Sequence, residues 1–121
     1  MKKIASVSLV LAMMAFSLTG CGQKSDDLVT KKPFPEFSEK DMEGNTVTSD
    51  IFSEYDATIV NFWSNGCGSC VEEMPYLEEL YQEFKDKNIN LIGVGSDSGQ
   101  GEEELATAKE ILSAKGVTYC N

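Results

Sequence analysis

The stretch NFWSNGCGSCVEEMP, residues 61–75, constrains this chain more than any other. An apolar run ends in a glycine-bearing turn, two cysteines stand two residues apart, and an amphipathic run follows. Residues 57–63 (ATIVNFW) are β-branched and aromatic with almost no polar break. Such a run is expected of a strand covered on both faces. Ser64 to Ser69 reads as a turn, and Cys70 to about Lys85 as a helix. Residues 89–94 (INLIGV) form a second apolar strand. Glu102 to about Lys115 is a second helix, with Leu105, Ala108, Ile111 and Leu112 on one face and Gly116 placed to end it. Strand, helix, strand, helix implies an α/β domain with a parallel sheet.

Three readings of the cysteine pair are open: a redox couple, half of a metal site, or a staple. The chain has four cysteines and no histidine. A structural zinc site needs four ligands, and beyond Cys67 and Cys70 only Cys120 is available if Cys21 is modified. A disulfide across so short a loop constrains the unfolded chain little, which weakens the staple. A redox couple suits the position. Free amides at a helix start favour an anion, so Cys67 is expected to have a lowered pKa and to attack as a thiolate. Cys70, one turn in and more shielded, is placed to resolve the mixed disulfide. Gly68 is expected to allow the tight turn between them. The chemistry calls for no metal and no cofactor.

At 100° per residue, Tyr76, Leu77, Leu80, Tyr81 and Phe84 define an apolar arc that includes Cys70 and has Glu73 near its middle. Glu73 is therefore expected to face inward, with a raised pKa, as proton donor or acceptor for Cys70. Glu72, Glu78, Glu79 and Glu83 are expected to be solvated. Pro75 is expected to kink the helix below the site. Trp63 is expected beside the disulfide or in the core. Cys120 is expected to be a core or edge residue.

The N-terminal residues read as an address. Lys2 and Lys3 precede an apolar stretch from Ile4 to Phe16, which is too short to span a membrane comfortably. Leu18-Thr19-Gly20-Cys21 resembles the lipobox of bacterial lipoproteins, which implies cleavage after residue 20 and lipidation of Cys21. Residues 21–33 are polar and aperiodic and suit a tether. The folded domain is expected over 34–121, with Phe34 and Phe37 tucking against its core. The turn signal at 41–45 followed by Thr46-Val47-Thr48 predicts an N-terminal β-hairpin. The formal net charge of −10 without a basic stripe argues against nucleic-acid binding.

Together, VNFW at 60–63, the CxxC at 67–70, Glu73 and Pro75 resemble the thioredoxin-like family. The match is to its TlpA/ResA-like extracytoplasmic thiol-disulfide oxidoreductases. The resemblance implies a thioredoxin-like α/β fold with an N-terminal β-hairpin and an inserted helix at 102–115. It implies that Cys67 attacks, Cys70 resolves and Glu73 is the acid near the active site. Asn61 stands where cytoplasmic thioredoxins carry a buried aspartate, and Gly66 stands where relatives often carry tryptophan. The family fold continues with a cis-proline loop, two strands and a helix. The chain ends at Asn121, so the C-terminal ββα part is expected to be missing. The implied function is reduction of disulfides in envelope proteins by an enzyme held at the membrane through its lipid. Its electrons would come from a membrane thiol-disulfide donor. The alternatives are a non-catalytic lipoprotein that binds a partner through this scaffold, and an inactive fragment.

Overall fold

The computed structural model describes residues 30–121. The expected signal segment 1–20 and the lipidation site Cys21 lie outside the described residues. Phe34–Asn121 forms one compact unit. Its elements are β1 (Ser38–Lys40), β2 (Thr46–Thr48), β3 (Ala57–Trp63), α1 (Gly68–Phe84), β4 (Ile89–Gly95) and α2 (Glu102–Ala114).

β1 and β2 pair antiparallel as the expected hairpin. Its turn is built on Asp41, whose carboxylate accepts from the amides of Glu43 at 2.9 Å and Asn45 at 2.8 Å. Gly44 takes the positive φ of 90° that the turn needs. Phe34 and Phe37 do not tuck into the main core. They form an aromatic cluster with Phe52, and Phe34 is 48% exposed.

β3 and β4 run parallel, in register from Ala57↔Ile89 to Trp63↔Gly95, with α1 as the crossover between them. Beyond β4 the chain returns, and Cys120 pairs with Ile92 in a parallel bridge. The Gly93 amide donates to the Cys120 carbonyl at 2.8 Å. Gly93 is where a side chain is least affordable, because a Cβ there would collide with the Asn121 side chain.

The apolarity of β3 overstates its cover. Ile59 is 36% and Phe62 59% exposed, so the strand is not enclosed on both faces in the described residues. The core lies at its C-terminal end, where Trp63, Met74 of α1, and Ala108 and Leu112 of α2 form one buried cluster. Burying a side chain such as the fully enclosed Met74 contributes about 1.5–3 kcal/mol.

α2 ends as its sequence predicts. Gly116 adopts φ 69°, its amide donates to Ser113 O, and the Val117 amide donates to Leu112 O. This Schellman closure lays Val117 against the buried cluster and aims the chain back at β4.

Candidate active site

β3 delivers the chain to the C-terminal edge of the parallel pair, where the ladder stops at Trp63 and Ser64–Gly66 turn into α1. The Cys67 amide donates to Ser64 O at 3.1 Å, closing that turn. The helix begins at Gly68, two residues earlier than its apolar pattern indicates, with Cys67 as its N-cap residue. Gly68 is thus helical and has no positive φ. A Cβ on it would meet nothing within 4 Å, so the turn does not depend on this glycine. Cys67 and Cys70 are joined as a disulfide, with S–S 2.01 Å and Cα–Cα 5.3 Å.

Both cysteines are half-buried, but their surroundings differ. Cys67 Sγ lies 3.7 Å from the exposed Ser69 hydroxyl. Cys70 packs against the buried cluster of Trp63 and Met74. The first turn of α1 carries no acidic side chain, so its free amides face Cys67 without a carboxylate of their own to neutralise them.

Glu73 is exposed, contrary to the inward position expected of it. The buried side of α1 is centred on Met74 instead, with Cys70, Leu77 and Tyr81 around it. Tyr76, counted as inward, is 70% exposed, and including it swung the expected arc toward Glu73. α1 continues through Pro75, which lies on its exposed side. Trp63 is 2% exposed, and its indole N–H donates to Asn121 Oδ1 at 3.0 Å.

Asn61 lies half-buried beside Tyr119, and the two side chains form no hydrogen bond with each other. Asn61 Nδ2 and the Tyr119 hydroxyl are both buried without partners among the described residues. Burial pushes the Tyr119 phenol up, and the charges of Glu78 and Glu73 add to it. Cys120 borders an open apolar groove of about 610 Å³ that Val60, Phe62, Ile92 and Val94 also line. Burial, with Asp41 and Glu43 adding, pushes its thiol up, which favours the unreactive protonated form.

Glu78, expected to be solvated, has a structural role that its sequence position does not signal. It accepts from the Thr118 amide at 2.7 Å, the Thr118 hydroxyl at 2.6 Å and Gln82 at 2.7 Å, fastening the returning segment to α1. Burial alone would raise its carboxyl, but the hydrogen bonds from Thr118 and Gln82 outweigh that and hold it below the ordinary 4.5. A depressed folded pKa adds stability that is complete above the unfolded value and lost as pH falls through the folded one. Glu78→Ala is therefore expected to cost about 1 kcal/mol at neutral pH. The gap to the native chain should close as pH drops below 4.5. Urea unfolding of both chains over that range checks it, and a gap independent of pH would contradict the assignment.

The sequence pattern of the AhpC/TSA family matches residues 30–119. The thiol-disulfide oxidoreductase ResA of Bacillus thuringiensis subsp. konkukian is 28% identical over 96 residues, which are 78% of this chain and 55% of that protein. The ResA of Bacillus anthracis is 34% identical over 89 residues, 73% of this chain and 47% of that one. This chain spans about half the length of these curated relatives. Among solved structures, the thioredoxin domain of a thiol-disulfide oxidoreductase from Bacteroides vulgatus superposes with a TM-score of 0.63 at 30% identity. That match covers 76% of this chain and 61% of the other. The fold is thioredoxin-like.

Proposed function

Because this chain belongs to the AhpC/TSA family, we propose that it is a thiol-disulfide oxidoreductase that reduces disulfides of envelope proteins through Cys67 and Cys70. The observation that carries the reading is the Cys67–Cys70 pair, set at the free N-terminus of α1 with one sulfur toward Ser69 and the other against the core.

The reduced Cys67 thiolate attacks one sulfur of a substrate disulfide. A Cys67–substrate disulfide forms and the other substrate sulfur leaves as a thiolate, which takes a proton. Cys70 then attacks Cys67 Sγ, releasing the second substrate thiol and closing the Cys67–Cys70 disulfide. Two electrons pass to the substrate. Removing the Cys70 proton is assigned to Glu73, three residues further along α1. Its exposure fits proton exchange with water rather than a buried acid.

The resting disulfide must then be reduced again, a role assigned to a membrane thiol-disulfide donor. The lipobox-like LTGC at 18–21 supports attachment of the chain outside the cytoplasm through a lipid on Cys21. No helix among the described residues is long and apolar enough to cross a membrane. Trp63, Asn61 and Pro75 are assigned supporting roles around the couple.

Trapping tests the mechanism. Cys70→Ser removes the resolving thiol, so Cys67 should accumulate mixed disulfides with envelope proteins, seen as reductant-sensitive adducts. The same adducts should be absent from a chain that also carries Cys67→Ser. An envelope that yields none would count against the mechanism.

A further inference from the structure

The turn that carries Cys67 is held from outside the couple. Asn65, two residues before Cys67, donates its backbone amide to Asp97 Oδ2 at 2.9 Å. Its side-chain amide donates to the Glu104 carbonyl, also at 2.9 Å, so the same residue is tied to α2. Asp97 lies in the β4–α2 loop and is itself fixed there. Its carbonyl accepts from the Gln100 amide at 3.0 Å, and the neighbouring Ser96 amide donates to Trp63 O at 2.9 Å. The β3–β4 ladder ends at Trp63↔Gly95, so the Asn65 amide has no strand to receive it. A part-buried N–H at such a place needs an acceptor, and the Asp97 carboxylate is the one supplied.

We infer that Asp97 is a positioning residue for the redox couple, acting on Cys67 through the backbone amide of Asn65. The inference rests on the oxidoreductase reading above. It concerns ring closure rather than substrate attack. A disulfide between Cys67 and Cys70 forms at an effective concentration set by how well the turn holds one sulfur near the other. With the Asn65 amide tied down, less freedom remains to be lost on closure, and the disulfide is favoured. Among the described residues Asp97 Oδ1 is buried without a partner, so no second donor competes with the Asn65 amide for that carboxylate.

The test is the equilibrium constant for closing Cys67–Cys70 in the full chain, titrated against reduced and oxidised glutathione. Asp97→Ala is expected to lower it about ten-fold, equivalent to about 30 mV for two electrons. Asp97→Ser, whose shorter side chain leaves the amide out of reach, should behave alike and stands in should the alanine variant not fold. Asp97→Asn keeps a carbonyl oxygen where the tether needs it and should restore closure to within about three-fold. A change of less than two-fold in Asp97→Ala, or an Asp97→Asn variant as weak as the alanine one, would overturn the inference. General destabilisation would give no such rescue. A native chain that closes its disulfide reversibly, yet traps no substrate as its Cys70→Ser variant, would sink the oxidoreductase reading and leave the role of Asp97 standing.

Discussion

Replacing Cys67 by alanine should reduce disulfide reduction to the uncatalysed background, a loss of about 10³-fold or more. The partner thiol cannot take over. Cys70 lies in the first turn of α1 and packs against the buried cluster of Trp63 and Met74, so it is poorly placed to meet a protein disulfide. Cys120 lies half-buried in the sheet bridge, and its surroundings push its thiol toward the protonated form. Reduction of a protein disulfide followed under excess reductant, with native and variant chains side by side, gives the measurement. The fold should be little affected, because the side chain removed is half-buried, its disulfide to Cys70 closes only a short loop, and its other contact is a long one to Ser69. The same variant separates the catalytic reading from a partner-binding scaffold. A chain whose cellular role survives Cys67→Ala works without its thiol, and the mechanism proposed here would be wrong.

The second large effect concerns stability. Trp63→Ala removes the largest side chain of the buried cluster, where the indole is 2% exposed. It also leaves Asn121 Oδ1 without its donor. Truncation of a core tryptophan costs about 3–5 kcal/mol, a large part of the roughly 5–15 kcal/mol that holds a domain together. The loss should appear in equilibrium urea unfolding as a lowered midpoint. Trp63→Phe isolates the polar part, since it keeps much of the packing while giving up the hydrogen bond to Asn121. It should cost less than the alanine variant. Equal midpoints for the native and alanine chains would mean that the cluster around Trp63 is not the core.

The elements that a single stretch of chain can specify were readable in advance. β3 and β4 follow from continuous apolar runs, α2 from its Leu105–Ala108–Ile111–Leu112 spacing, and its end from Gly116. The hairpin followed from a turn signal and a short β-branched run. The cysteines could be placed on a strand–turn–helix junction by the same local logic. What could not be read depends on distant partners. Glu78 looked solvated because its acceptor role is set by Thr118, forty residues away. The tie between Asn65 and Asp97 spans thirty-two residues. Glu73 was misplaced for a more local reason. An apolar arc gives a tyrosine full weight as an inward residue, whereas Tyr76 keeps its ring largely in water. Met74, set directly after Glu72 and Glu73 in sequence, was the signal that would have corrected the rotation.

Trp63 also makes the molecule its own optical gauge. It is the single tryptophan of the chain, and it shares a packed cluster with Cys70. A disulfide accepts electrons from an excited indole and quenches it, whereas a pair of thiols does so far less. Emission should therefore brighten when the couple is reduced. The same indole is anchored to Asn121, so release of the returning segment lets water reach the ring and shifts its colour to the red. Intensity and wavelength thus separate two events, the opening of the sulfur bridge and the loosening of the fold, without any label.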